Sequence, residues 1–316
     1  MVAIEAVRAA SSSISSQSLI AVFVGATSGI GLAAIEALLK STTSPKVFLV
    51  GRSKSTFAPT LTKIQNLNAS AALIFVETQV SLLKEVDRVC TIVKAQESAI
   101  DLLWVSQGGL SMSGHELTLE GLGTDLPVKY YSRTLFMYKL MPLLNRSLGP
   151  RIISILAAGA EGALNITDFG LSGPKIYGFI VAAKQGVMMT SLVMREMSLE
   201  NPKVSFIHSN PGVVSTAVHH KLADTMTDLA LFSWLLRWAM IPILHPFAWT
   251  AEEASQMGLY ELTNERYHAS TGKNFFRLSL NAEYTGVLPA LFEYEEDGTQ
   301  KKVWEQTLAI FDKVQA

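Results

Sequence analysis

The chain has 316 residues, 49% of them hydrophobic and 17% charged, which is apolar enough to bury a sizeable core and excludes intrinsic disorder. Its 26 Lys and Arg against 27 Asp and Glu leave a net charge of −1, with no basic tract to follow a phosphate backbone, so nucleic acid is not an expected partner. The single cysteine, Cys90, excludes an intramolecular disulfide framework and a cysteine-based zinc site, and the six histidines show no metal-ligand spacing.

Met1–Ser18 is rich in Ala and Ser and lacks the apolar run of a secretory signal. It reads as a flexible lead, and a cytoplasmic location is expected. From Leu19 onward, short apolar runs alternate with longer segments of helical period. Six strands are predicted, at Leu19–Val24, Lys46–Val50, Ala71–Val76, Asp101–Val105, Arg151–Leu156 and Lys203–His208. Helices are predicted between them at Gly31–Lys40, Leu82–Gln96, Thr124–Leu144 and Lys175–Leu199. Strands of this kind are buried on both faces, so the fold class is α/β, a Rossmann-type doubly wound parallel sheet in one domain over 19–316. Within it, 217–250 is read as a substrate lid. Residues 298–316 are read as a closing helix with Val303, Trp304, Leu308 and Phe311 inward.

After the first strand comes Gly25-Ala26-Thr27-Ser28-Gly29-Ile30-Gly31, opening a helix at Leu32. Glycines let the backbone turn tightly and approach a diphosphate, and the helix start offers unpaired N–H groups and a positive dipole end. Gly25, Ser28, Gly29, Ile30 and Gly31 are therefore candidate cofactor ligands. The second strand ends in Gly51-Arg52-Ser53-Lys54, where an NAD site usually places a carboxylate. Arg52 suits a 2′-phosphate, and the expected cofactor is NADP(H).

The spacing Gly25-x-x-x-Gly29-x-Gly31, the strand ending in Gly108-Gly109, the Thr118-x-Glu120-Gly121 stretch and Pro211-Gly212-Val213-Val214-Ser215-Thr216 together resemble the short-chain dehydrogenase/reductase superfamily. The likeness runs over roughly residues 19–216. Thr250-Ala251-Glu252-Glu253-Ala254 and Thr271-Gly272 add a weaker similarity to retinol-dehydrogenase-like members. The resemblance implies that Gly108, Pro211, Gly212, Val214 and Thr216 line the cofactor, with the last four closing over its nicotinamide end. It also puts Gln79 where members usually carry an adenine-contacting Asp.

At the family's catalytic positions the chain is atypical. The resemblance puts Lys129 at the family's Asn, Ala157 at its Ser, Lys184 at its Lys and Ile180 at its Tyr. Tyr177 is the nearest tyrosine, seven residues before Lys184, and reads either as the proton donor or as a packed aromatic at the helix start. Lys129 reads either as an acid or oxyanion anchor or as a lysine reaching solvent along its stem. Ser154, earlier on the fifth strand, is a weaker candidate for the missing serine. His208 is expected to be a buried, satisfied core histidine.

The run Leu229–Trp249 is interrupted by Arg237, Pro242 and Pro246, which argues against a spanning helix. It is read as a lid presenting Phe232, Trp234, Leu235, Trp238 and Met240 to a lipophilic small molecule, with association at a membrane surface as the alternative. The resemblance also implies pairing as a homodimer through Thr124–Leu144 and Lys175–Leu199. The expected function is an NADP(H)-dependent oxidoreductase acting on a lipophilic ketone, alcohol or enone, similar to fungal secondary-metabolism members of the superfamily. Two alternatives stay open: a redox-silent cyclase, isomerase or dehydratase that keeps the cofactor pocket as scaffold, and a non-catalytic cofactor-binding protein.

Overall fold

Ile20–Val24 (β1) places Ala21 and Phe23 on one face of the sheet and Val22 and Val24 on the other, and all four are buried. An extended segment that is apolar at every position can be accommodated only between two covering layers. The computed structural model describes residues 19–108, 117–122, 126–169, 179–212, 214, 249–286 and 288–315.

The chain continues through α1 (Gly29–Ser41), β2 (Lys46–Gly51), α2 (Lys54–Gln65), β3 (Ala72–Glu77), α3 (Leu83–Gln96) and β4 (Leu102–Val105). A five-residue π-helical turn, Pro127–Tyr131, then runs into α4 (Ser132–Leu144). It is followed by β5 (Arg151–Ile155), α5 (Phe179–Glu200) and β6 (Ser205–Ser209). The C-terminal part adds α6 (Ala251–Thr263), β7 (Phe275–Leu278), α7 (Pro289–Glu296) and α8 (Thr299–Gln315). The sheet has seven strands in the order β3-β2-β1-β4-β5-β6-β7, and every pairing is parallel.

All six predicted strands are present within a residue or two of their expected ends. β7, α2, α6 and α7 are additional to the sequence reading. On one face, α1, α2 and α6 enclose a core around Phe23, Trp104 and Tyr267. On the other, α3, α4, α5 and α8 enclose a second core around Val105, Phe136 and Met188. α8 buries Val303, Trp304 and Phe311, as expected of a closing helix, while Leu308 is only partly buried.

Several family-like motifs turn out to be architectural. Glu120 accepts from the N–H groups of Leu83 and Lys84 at 2.7 and 2.9 Å, so it caps α3. Thr250 and Glu253 form a reciprocal capping box that starts α6. Gly272 closes a short 3₁₀ turn in the left-handed region, at φ +84°. Among the described residues no helix is long and apolar enough to cross a membrane, and Leu229–Pro246 lies outside them.

Candidate cofactor and active site

The strand order reverses between β1 and β4, and in open parallel sheets ligands bind outside the C-terminal strand ends at such a point. A cavity of about 570 Å³ opens there. Gly25, Ser28, Arg52, Gln79 and Gly108 all line it, so five residues singled out from sequence converge on one cleft. Val128 also lines it, as do Thr78, Ser106 and Gln107, which no motif had flagged. Thr78, Ser106 and Gln107 follow the ends of β3 and β4, and that position at a strand end is the signal that could have found them.

Two glycines shape the phosphate end. Gly25 adopts φ +77°, and a Cβ there would fall 2.3 Å from the Gln107 backbone nitrogen. At Gly31 a Cβ would meet the Ala26 Cα at 2.7 Å and the Ser106 Oγ at 2.8 Å. The turn is therefore pressed against the end of β4 by backbone that tolerates no side chain. Ser28 is the N-cap of α1 and its side chain makes no capping bond, and the first amides of α1, those of Gly29, Ile30 and Gly31, have no acceptor within the helix.

Arg52 is exposed at the cleft rim. Glu77, at the end of β3, accepts from the Lys54 N–H at 2.7 Å and so is already engaged. Gln79 donates to Ser81 Oγ at 3.0 Å.

The π turn sets the opposite wall. It brings Val128 to the cleft and buries Lys129, whose Cβ lies about 4.0 Å from where a Cβ on Gly186 of α5 would be. Lys184 is exposed on the same helix, two residues earlier, and the loop after β5 crosses it: the Gly162 N–H donates to the Lys184 carbonyl at 3.3 Å, and a Cβ on Gly162 would collide with Lys184. Lys129 thus packs on α5 at Gly186, while Lys184, two residues earlier, lies on another face of that helix. Buried Lys129 corrects the solvent-reaching alternative.

The neighbouring Tyr130 and Tyr131 are buried as well, and burial raises both phenol pKa values. Tyr130 is committed to Thr307 of α8 at 2.7 Å. Tyr177 and Thr216 lie outside the described residues, as do the side chain of Ile180 and Phe232–Met240 of the expected lid. The ends of that segment are described, and Val214 and Trp249 meet in a parallel bridge. Pro211 and Gly212 follow β6; the Gly212 N–H donates to Asn210 Oδ1 at 3.0 Å, and Asn210 Nδ2 donates to the Ala158 carbonyl at 2.9 Å. That pair fixes the β6 loop to the β5 loop.

Beneath the cleft, one register row across the sheet holds Val24, Val105, Ser154, His208 and Arg277. Its polar half forms a buried network. Ser154 accepts from Arg133 Nη1 at 3.0 Å, which makes it structural and removes it as a replacement serine. Ser191 Oγ lies 2.8 Å from His208 Nδ1 and 2.8 Å from Glu161 Oε1. Glu161 also receives Arg277 Nε and Nη2 at 2.7 and 2.8 Å, and the Gly159 N–H at 2.8 Å.

Burial would raise the Glu161 pKa, but the Arg277 hydrogen bonds and charge bring it below the usual value. For His208, burial pushes the pKa down to about 3, so the ring is neutral. Its Nε2 meets no partner among the described residues, so within them the expectation of a satisfied histidine holds for one ring nitrogen. Glu161 and Arg277 are 116 residues apart and carry no local sequence signal.

The comparisons agree with this geometry. The short chain dehydrogenase family profile matches residues 19–227. The oxidoreductase lepF of Aspergillus flavus is 30% identical over 93% of this chain and 91% of its own length. The oxidoreductase andH of Emericella variicolor is 33% identical over 81% of this chain and 73% of its own. Among solved structures, L-sorbose reductase from Gluconobacter frateurii, complexed with NADPH and L-sorbose, superposes with a TM-score of 0.64 at 17% identity, covering 87% of this chain and 99% of that one. With the reversal point, the glycine turn and the cleft in the same place, the chain belongs to the short-chain dehydrogenase family.

Proposed function

We propose that this oxidoreductase uses NADP(H) and acts on a lipophilic ketone, alcohol or enone, an intermediate of secondary metabolism. The observation that carries the cofactor choice is Arg52 on the rim of the cleft that holds the glycine turn, with the adjacent Glu77 engaged by a backbone amide. A guanidinium there grips a 2′-phosphate through paired hydrogen bonds, whereas a ribose hydroxyl would call for a carboxylate. The cradle fits a dinucleotide, since the glycines at 25 and 31 let the turn seat against the end of β4 and the Ser28 side chain makes no capping bond of its own. When bound, the nicotinamide supplies or accepts a hydride.

The chain's own residues then divide the work. Ser28 and the α1 amides hold the diphosphate, Gln79 meets the adenine, Lys184 orients the ribose, and Lys129 or Tyr177 supplies the proton. Pro211, Gly212, Val214 and Thr216 close over the reacting end. The apolar composition of 217–250 supports a lipophilic substrate, and the likeness to fungal oxidoreductases supports secondary metabolism. Family membership leaves the compartment open; the cytoplasm is the proposal.

The test is calorimetric binding of NADPH and NADH to the unmodified chain and to Arg52→Glu. A charge-assisted pair of bonds corresponds to a preference of about 10- to 100-fold for NADPH, which the variant should erase. Equal affinities in the unmodified chain would reject the assignment.

Ala157 and Ile180 at the family's Ser and Tyr positions favour a second reading, a redox-silent cyclase, isomerase or dehydratase. Product formation that continues after the protein is stripped of nicotinamide would select it.

A further inference from the structure

Arg133, in the first turn of α4, is 1% exposed. Its Nη1 donates to the Val105 carbonyl at 2.8 Å and to Ser154 Oγ at 3.0 Å, its Nη2 donates to the Gln107 carbonyl, and its Nε meets no partner among the described residues. Every acceptor is neutral. A guanidinium taken out of water without a counter-charge is costly, and neutral acceptors could be served by a neutral donor. The charge itself therefore calls for a reason.

Its place in the fold gives one. A Cβ on Gly108 would lie 3.6 Å from Arg133 Nη2, and Gly108 and Gln107 line the cleft. Arg52 and Gln79 mark the adenosine end over β2 and β3, and the glycine turn marks the diphosphate over β1. The remaining half of an extended dinucleotide must then cross the ends of β4 and β5, which Arg133 bridges from below through Val105 and Ser154.

We infer that Arg133 is a positioning residue that makes the site hold the reduced dinucleotide more tightly than the oxidised one, and so disposes the chain to act as a reductase; this rests on the NADP(H) reading above. The oxidised nicotinamide ring carries a positive charge and the reduced ring none, so a cation beneath it repels only the oxidised form. Two like unit charges about 10 Å apart at an effective dielectric of about 20 shift an affinity on the order of tenfold. Among the described residues, the polar side chains of the register row do not cancel this field. His208 is neutral, and Glu161 is spent on Arg277. Lys184 is exposed, so its charge is screened by solvent.

The experiment is calorimetric measurement of the NADPH and NADP⁺ dissociation constants for the unmodified chain, Arg133→Lys and Arg133→Met. The unmodified chain and Arg133→Lys should favour NADPH, and Arg133→Met should lose about tenfold of that preference. If Arg133→Met does not fold, Ser154→Asp supplies a counter-charge next to Nη1 while keeping Arg133, and the same loss is expected. A loss of affinity shared equally by both forms would show that Arg133 only shapes the floor and would overturn the inference. An unmodified chain that binds both forms equally would overturn it too. Failure of the unmodified chain to bind either form would instead reject the dinucleotide reading itself, and this inference with it.

Discussion

Gly25 and Gln107 approach so closely that a single methyl group cannot be placed between them: a Cβ on Gly25 would sit 2.3 Å from the Gln107 nitrogen and 2.4 Å from its Cα. Gly25 also holds φ at +77°, which L-residues rarely adopt. Gly25→Ala is expected to cost about 1–3 kcal/mol of stability and to push the turn off β4. Chemical denaturation should show the loss, and calorimetry should show NADPH affinity falling more than about tenfold, since the cradle and the fold share this contact. A variant of unchanged stability and affinity would mean that the turn is not seated as described.

Lys129 is buried at the wall of the cleft, where the family resemblance puts an Asn. If it donates the proton, Lys129→Met should lower the rate of NADPH consumption by about 10²- to 10⁴-fold, the usual reach of general acid help. The NADPH dissociation constant should change little. Full activity in this variant would leave Tyr177 as the donor, and Tyr177→Phe is the companion measurement.

His208 and Glu261 give the protein two opposite pH dependences. Burial lowers the His208 pKa from 6.5 to about 3, Glu161 partly opposing, so between those values the unfolded chain binds the extra proton. That contribution is complete above pH 6.5 and is lost as pH falls toward 3. Glu261, fully buried on α6, is raised by burial from 4.5 to about 8, with Ser209 giving a small offset, so there the folded chain keeps the proton. Its contribution is complete below pH 4.5 and is lost as pH rises toward 8. Glu261→Gln should therefore flatten the alkaline decline in unfolding free energy, and His208→Gln the acid one, each by a slope of up to about 1.4 kcal/mol per pH unit. Slopes that do not respond to either substitution would place the titrating groups elsewhere.

α8 lies over α4 and α5, the helices through which the family resemblance implies pairing. Trp304 meets Tyr138 edge-on at 5.5 Å, and Thr307 bonds Tyr130. The intact chain is expected not to pair through that face. Trp304→Glu combined with Phe311→Glu should unseat α8 and raise self-association, read by sedimentation velocity. Cross-links between α4 or α5 of two intact chains would contradict this.

Parts of this protein were legible in the sequence because they are local. A strand apolar at every position, as in Val47-Phe48-Leu49-Val50, needs cover on both faces, and a glycine turn between a strand and a helix needs nothing distant to be recognised. Six strands and the residues of the phosphate turn follow from such runs, whereas the point where the strand order reverses came from the sheet itself. β7 was missed because Phe275–Leu278 is only four residues long and includes Arg277, so its pattern does not stand out.

Which polar residues meet was decided by the tertiary structure. The register row that sets Ser154 beside His208 and His208 beside Arg277 comes from three strands distant in sequence, and α4 and α5 bring Arg133 and Ser191 down onto it. The π turn that buries Lys129 against Gly186 is of the same kind. Charges of this sort acquire their meaning from burial and from neighbours, and both are properties of packing; the order of residues along the chain specifies the strands, and only the packed sheet specifies the electrostatics beneath the cleft.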